Sequence, residues 1–280
     1  AAVSHHHIDS PALEVKKQEL QKIGVIINNK AAGDFPISDW QSAKIGCIAV
    51  NDTTRALGDL AAYHRRRANA SVVAITGSNG KTTTRQMTAA VVERRFNTLS
   101  TVANYNNEIG LPLTLLKLQP GHQWAVVELG TNSPGEIARL AEIARPNIGL
   151  ITNIGAGHLE NFDGLSGVAR AKGELFISLP ADGIALINVD DEEVSILPVA
   201  NSVRRVTFGV NRNADVRADN ITAHNGSVCF NLVIAGAARR VILPLPGRHN
   251  VANALAAAAA AMVAGVGLQA IVAGLESFQP

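Results

Sequence analysis

The sequence predicts an α/β protein: a mostly parallel sheet flanked by helices, with an added small antiparallel sheet. Three observations carry the prediction. From Ser71 onward, short continuous apolar runs alternate with helix-compatible stretches. One of these runs, Ser71–Thr76 (SVVAIT), ends directly in the glycine turn Gly77-Ser78-Asn79-Gly80, followed by Lys81-Thr82. From Asp215 the pattern changes to alternating apolar and polar residues, the period of a strand with one solvated face.

Taken in order, Ser71–Thr76 is a buried strand and about Lys81 to Arg95 a helix. Trp124–Leu129 is a second strand. Pro134–Ala144 is a helix, with Pro134 near its start and Arg145-Pro146 as its stop. Asn147–Ile154 is a strand and about Leu165 to Leu179 a helix. Gly183–Val189 and Arg204–Gly209 are further apolar runs. Asp215–Ala223, Ser227–Ala235 and Arg239–Leu245 form a meander with Asn225-Gly226 as a turn signal. Gly247 and Asn250 open an alanine-rich helix, and a short helix spans Leu268 to Phe278. Before Ser71, Asp52–Arg67 reads as helical, and Gly24–Asn28 and Gly46–Val50 as short strands.

The glycine turn carries chemistry. Glycines let backbone N–H groups approach phosphate oxygens, and a helix N-terminus adds a favourable dipole. Lys81 can neutralise terminal phosphates and the Thr82 hydroxyl can ligate Mg²⁺. The common P-loop needs another glycine where Ile75 stands, so this loop is the shorter G-x-x-G-K-T form. The bland alternative is a strand-to-helix turn that binds nothing.

Bulk properties narrow the field. The length of 280 residues suggests one or two domains, and 47% apolar residues suffice for a large core. A net charge of +2 argues for neither nucleic acid nor membrane binding. Arg65-Arg66-Arg67 reads as a solvated helix end, and His5-His6-His7 as a terminal remnant rather than a metal site. Cys47 and Cys229 are far apart without metal-ligand spacing. With no signal-peptide or membrane-spanning pattern, a cytoplasmic location is expected, without membrane insertion.

Four further segments fall where an α/β sheet places ligands, at the carboxyl ends of strands. Asn104–Pro112 (NYNNEIGLP) is a polar loop able to hold substrate groups, or a plain turn. Glu128 ends an apolar strand as a magnesium ligand or a solvated acid. His158 follows the strand at Asn147–Ile154 as a structural, metal or phosphate-binding residue. Lys172, in Ala171-Lys172-Gly173-Glu174, reads on pattern alone as a surface charge.

Together the motifs GSNGKTT, NYNNEIGLP, VVELGTNSPGEI, ITNIGAGHLENF, ARAKGE and PGRHNVANALAAAA resemble the Mur ligase family, ATP-dependent amide-forming enzymes of peptidoglycan precursor synthesis. The resemblance runs from about Thr53 to the C-terminus. It implies a P-loop NTPase-like central domain. Its wording is most similar to the member that adds D-alanyl-D-alanine to the UDP-N-acetylmuramoyl tripeptide. The resemblance implies ATP and two Mg²⁺ sites. Nucleotide contacts would come from Gly77, Ser78, Asn79, Gly80, Lys81, Thr82 and Thr83, with Asn188, Asp190 and Asn250 nearer the base. Lys81, His158 and Lys172 would be catalytic. Thr82, Glu128, His158 and a carbamylated Lys172 would hold the metals, and Asn106 and Asn107 would meet substrate.

The resemblance also sets the expected organisation. Residues 1–70 would be a partial or divergent UDP-substrate domain with a linker helix, and residues 71–280 the ATP-binding domain. The family's C-terminal domain is expected to be absent, leaving a monomeric chain that binds ATP but is not fully active. Glu14–Lys44 matches no family motif. Another Mur or folylpolyglutamate-type ligase, or a non-catalytic nucleotide-binding module, are the competing readings. A P-loop GTPase or kinase is disfavoured by the short loop.

Overall fold

A computed structural model describes residues 25–29, 46–156, 162–211 and 213–279. The His5–His7 run and most of the Glu14–Lys44 stretch lie outside the described residues. The chain divides into two compact units, residues 1–59 and 60–280. In the first, strands β1 (Val25–Asn29) and β2 (Gly46–Val50) pair in parallel, Val25 beside Gly46 and Asn29 beside Val50. Helix α1 (Thr53–Arg67) crosses the division.

The second unit is built on one nine-stranded sheet. Its strands are β3 (Ser71–Thr76), β4 (Thr98–Ser100), β5 (Trp124–Glu128), β6 (Ile148–Ile151), β7 (Ile184–Asn188), β8 (Arg204–Gly209), β9 (Val216–His224), β10 (Ser227–Ile234) and β11 (Ala237–Leu243). The order across the sheet is β11-β10-β9-β8-β7-β6-β3-β5-β4. The expected parallel core is present from β4 to β8. The antiparallel strands β9 to β11 belong to this same sheet. They join it through a parallel seam of two residue pairs, Phe208 beside Val216 and Gly209 beside Arg217. Asn225 and Gly226 both take positive φ (43° and 76°), the backbone a tight hairpin requires.

Helices cover both faces. They are α2 (Lys81–Val92), α3 (Gly110–Leu115), α4 (Glu136–Ala144), α5 (Gly164–Ile177), α6 (Glu192–Ser195), α7 (Arg248–Val263) and α8 (Leu268–Glu276). Alternation along the strands feeds two cores. Val73, Ile75 and Val126 point into a layer shared with α2, α7 and α8. Val72, Ala74, Ala125 and Val127 point into one shared with α4 and α5. Alanines 256–261 of α7 are all buried, which suits a helix packed on most of its circumference.

Four elements depart most clearly from the sequence reading. β4 and α6 are short elements that it did not contain. The loop expected through Pro112 becomes helix α3 from Gly110. Pro112 is in that helix's first turn, where its missing N–H has no intrahelical role. The helix from Lys81 stops at Val92 rather than Arg95.

Candidate functional site

The carboxyl ends of β3, β5, β6 and β7 gather most of the predicted residues. Loop 77–80 leaves β3 and turns into α2. Gly77 has φ 146°, and a Cβ there would lie 1.9 Å from Thr152 Oγ1. Gly80 has φ 76°, and a Cβ there would lie 2.5 Å from Asn253 Oδ1. Both positions therefore exclude side chains by contact as well as by backbone conformation.

The loop is laced to the segment after β6. Ser78 N–H donates to the Asn153 carbonyl (2.9 Å), and Asn79 N–H to Asn153 Oδ1 (2.9 Å). Asn153 Nδ2 and Thr152 Oγ1 both donate back to the Asn79 carbonyl, at 2.9 and 2.7 Å. Ser78 Oγ donates to the Gly155 carbonyl and accepts from Gly155 N–H. From the other side, Thr84 Oγ1 donates to Asn253 Oδ1, Asn253 Nδ2 to Asn250 Oδ1, and Asn250 Nδ2 to the Pro246 carbonyl.

Three charged groups meet here, Glu128 and Arg85 buried and Lys81 half-buried. Lys81 Nζ donates to the Gly77 and Ser78 carbonyls at 2.8 and 3.3 Å. Burial pushes its ammonium below the usual lysine value, and the Glu128 charge partly restores it. Glu128, 2% exposed, accepts from Thr82 Oγ1 (3.0 Å) and from Asn106 Nδ2 (2.9 Å). Arg85, absent from the sequence-based site, lies with Nε 3.5 Å from Glu128 Oε2 and is itself 5% exposed.

Lys172 on α5 is also buried. Burial first, and then the Lys81 charge, lower its pKa to about 8. The surface-charge reading of pattern alone is therefore overturned: the helix turns this lysine inward. Two residues on, Glu174 accepts the Gly135 and Ala138 N–H groups at 2.8 and 2.9 Å, fixing the start of α4.

The remaining predicted residues divide. Asn188 Nδ2 donates to the Thr152 carbonyl (2.7 Å), and Asp190 accepts the Asn211 N–H, so both are built into loops at this edge. Thr83 lies in the first turn of α2. Asn107 Oδ1 accepts the Ile109 and Gly110 N–H groups and so starts α3, while its neighbour Asn106 reaches Glu128. His158 lies outside the described residues.

Among the described residues there is no group of three or more His, Cys, Asp or Glu that could hold a metal ion. The oxygen pair Thr82–Glu128 nevertheless fits Mg²⁺, which often takes one or two protein oxygens and completes its sphere with phosphates and water. A separate groove of about 660 Å³, lined by Arg65, Arg66, Arg145, Asn147 and Asp182, opens at the amino ends of the strands, away from these residues. No helix among the described residues is long and apolar enough to cross a membrane.

The family description "Mur ligase middle domain" matches residues 75–261. The chain is 47% identical over 250 residues to the UDP-N-acetylmuramoyl-tripeptide–D-alanyl-D-alanine ligase of Escherichia coli K12, covering 89% of this chain and 55% of that protein. The Haemophilus influenzae enzyme of the same name is 40% identical over 239 residues, covering 84% and 52%. A crystal structure of MurF from Acinetobacter baumannii superposes with TM-score 0.82 at 36% identity, covering 91% of this chain and 60% of that one. The chain thus spans about half the length of the curated relatives it matches.

Proposed function

The chain belongs to the Mur ligase family, and from that premise we propose that it is the nucleotide-binding part of an ATP-dependent ligase joining D-alanyl-D-alanine to a UDP-N-acetylmuramoyl tripeptide. One observation carries the chemistry: a glycine loop with Lys81, an oxygen pair at Thr82 and Glu128, and the buried Lys172 converge on one edge of the sheet. The substrate assignment rests on relatives of that name at 40–47% identity.

In this reading Gly77–Thr83 cradle the triphosphate, with Lys81 moving from its loop carbonyls to phosphate oxygens. Asn188, Asp190 and Asn250 flank the adenine side. The tripeptide carboxylate attacks the γ-phosphorus, forming an acyl phosphate and releasing ADP. The amine of D-alanyl-D-alanine then attacks the acyl carbon, forms the amide, expels phosphate and loses a proton. Carboxylate and triphosphate repel one another, so the site's task is to neutralise both before they meet.

Thr82 and Glu128 would hold one Mg²⁺, and His158 with a carbamylated Lys172 a second. The bound ions supply charge neutralisation at the phosphates. Lys172 suits carbamylation because its lowered pKa leaves part of it as the neutral amine, the form that adds CO₂ with loss of a proton. Asn106 acts here through Glu128, and Asn107 through the α3 start beside it.

Calorimetric titration of the chain with ATP or ADP tests the core of this reading. Lys81→Ala is expected to weaken nucleotide binding about 100-fold, the loss of charge-assisted contacts worth about 3 kcal/mol. Nucleotide affinity in Lys81→Ala equal to that of the wild type would rule the loop out as the phosphate site. Amide formation from ATP, magnesium, the tripeptide precursor and D-alanyl-D-alanine, followed with competing amines, tests the substrate.

A further inference from the structure

We propose that Arg85 is a positioning residue for the metal side of this site: it holds the Glu128 carboxylate in place and aimed at Thr82 before any cation arrives. The inference rests on the reading of Thr82 and Glu128 as magnesium ligands and adds a residue to it.

A carboxylate that is 2% exposed is costly to keep charged without a partner. Glu128 has three polar neighbours, and they divide the work. Asn106 Nδ2 bonds Oε1 at 2.9 Å, and Thr82 Oγ1 bonds Oε2 at 3.0 Å. Both are neutral. Arg85 is the cation paired with it, 3.5 Å from Oε2, and the Lys81 charge also acts on this carboxylate.

Arg85 is in turn fixed from the far side. Its Nη1 donates to the Thr101 carbonyl and to Ser100 Oγ (3.2 Å), both at the end of edge strand β4. Its Nε is buried and makes no hydrogen bond within normal limits. The guanidinium is thus anchored on β4 and stands just short of the carboxylate. It supplies charge without occupying the oxygen that Thr82 shares. That arrangement leaves Oε2 free to trade the Thr82 proton donor for a metal ion while the carboxylate stays in place. Ordering partners of metal ligands commonly change metal affinity about 10–100-fold.

The test uses the full chain and ADP, with affinity measured in EDTA and across a Mg²⁺ titration. In Arg85→Gln the gain in ADP affinity on adding Mg²⁺ is expected to shrink about tenfold, and the Mg²⁺ concentration for half-maximal effect to rise about tenfold. Arg85→Lys, which keeps the charge, recovers part of both. Ser100→Ala, which loosens the anchor without removing a buried charge, shifts them about twofold and carries the test should Arg85→Gln not fold. A purely structural role would lower both affinities together and leave their ratio intact. Direct repulsion between Arg85 and Mg²⁺ would lower the Mg²⁺ requirement in Arg85→Gln. Either result overturns the proposal. Wild-type ADP binding that ignores Mg²⁺ overturns the magnesium reading beneath it, and absent ADP binding overturns the nucleotide reading as well.

Discussion

Lys81, half-buried, and Lys172, buried, lie at the same edge of the sheet under opposite electrostatic conditions. Lys81 has an acid in reach, Glu128, which offsets part of the cost of burial. Lys172 feels burial and then another lysine, and both act against its charge. The loop side of the site therefore gives its lysine a counter-charge. The α5 side is built to hold a lysine that is easily made neutral. A site for anionic ligands can use both: one group that binds phosphate directly, and one that is open to chemical conversion.

The largest way to break this contrast is to remove the acid. Glu128→Gln leaves the buried Arg85 and the half-buried Lys81 without a counter-charge, and a stability loss of about 3–5 kcal/mol is expected in urea unfolding. A loss under about 1 kcal/mol would mean that Glu128 compensates nothing.

Lys172→Met sharpens the contrast from the other side. The folded state holds this lysine at a pKa of about 8 against 10.5 when free. Below pH 8 the folded chain carries the cost of a buried charge. Between about pH 8 and 10.5 the unfolded chain binds more protons, so wild-type stability contributed by this group rises with pH. In CO₂-free buffer the variant is expected to be more stable at pH 7 by roughly 2 kcal/mol, the difference fading towards pH 10.5. A difference that does not change with pH would place the cost in packing.

The smallest effect concerns the bracing of the loop side. Asn253→Ala breaks the chain from Thr84 to Asn250 and leaves a buried hydroxyl short of its acceptor. About 1–2 kcal/mol of destabilisation is expected by thermal unfolding. The Lys172 pH window should not move. If it does, the two sides are not separate.

Much of the architecture was legible in the sequence because strand burial here is two-sided. Ser71–Thr76 and Arg204–Gly209 match the observed strands at both ends, since continuous apolar runs bounded by turn residues leave little choice. β4 was not legible: Thr98-Leu99-Ser100 holds one apolar residue, and edge pairing alone makes it a strand. α3 was hidden by Pro112, which usually signals a break. That the loop and Glu128 lie together was legible from strand-end position, while the Asn106 contact with Glu128 was not. Arg85 was missed because an arginine on a helix normally faces solvent. The available signal was its place four residues after Lys81, on the same side of the helix as Thr88 and Val92. The burial of Lys172 had no local signal and depends on how α5 packs on the sheet.

The reciprocal hydrogen bonds between residues 78–79 and 152–155 have a thermodynamic consequence. Two segments tied by this many short contacts move as one body, so work done on either is felt by the other. A ligand that orders loop 77–80 must then change affinity at the segment after β6, and a ligand there must change nucleotide affinity by the same factor. Six hydrogen bonds between two loops would in that case carry the coupling.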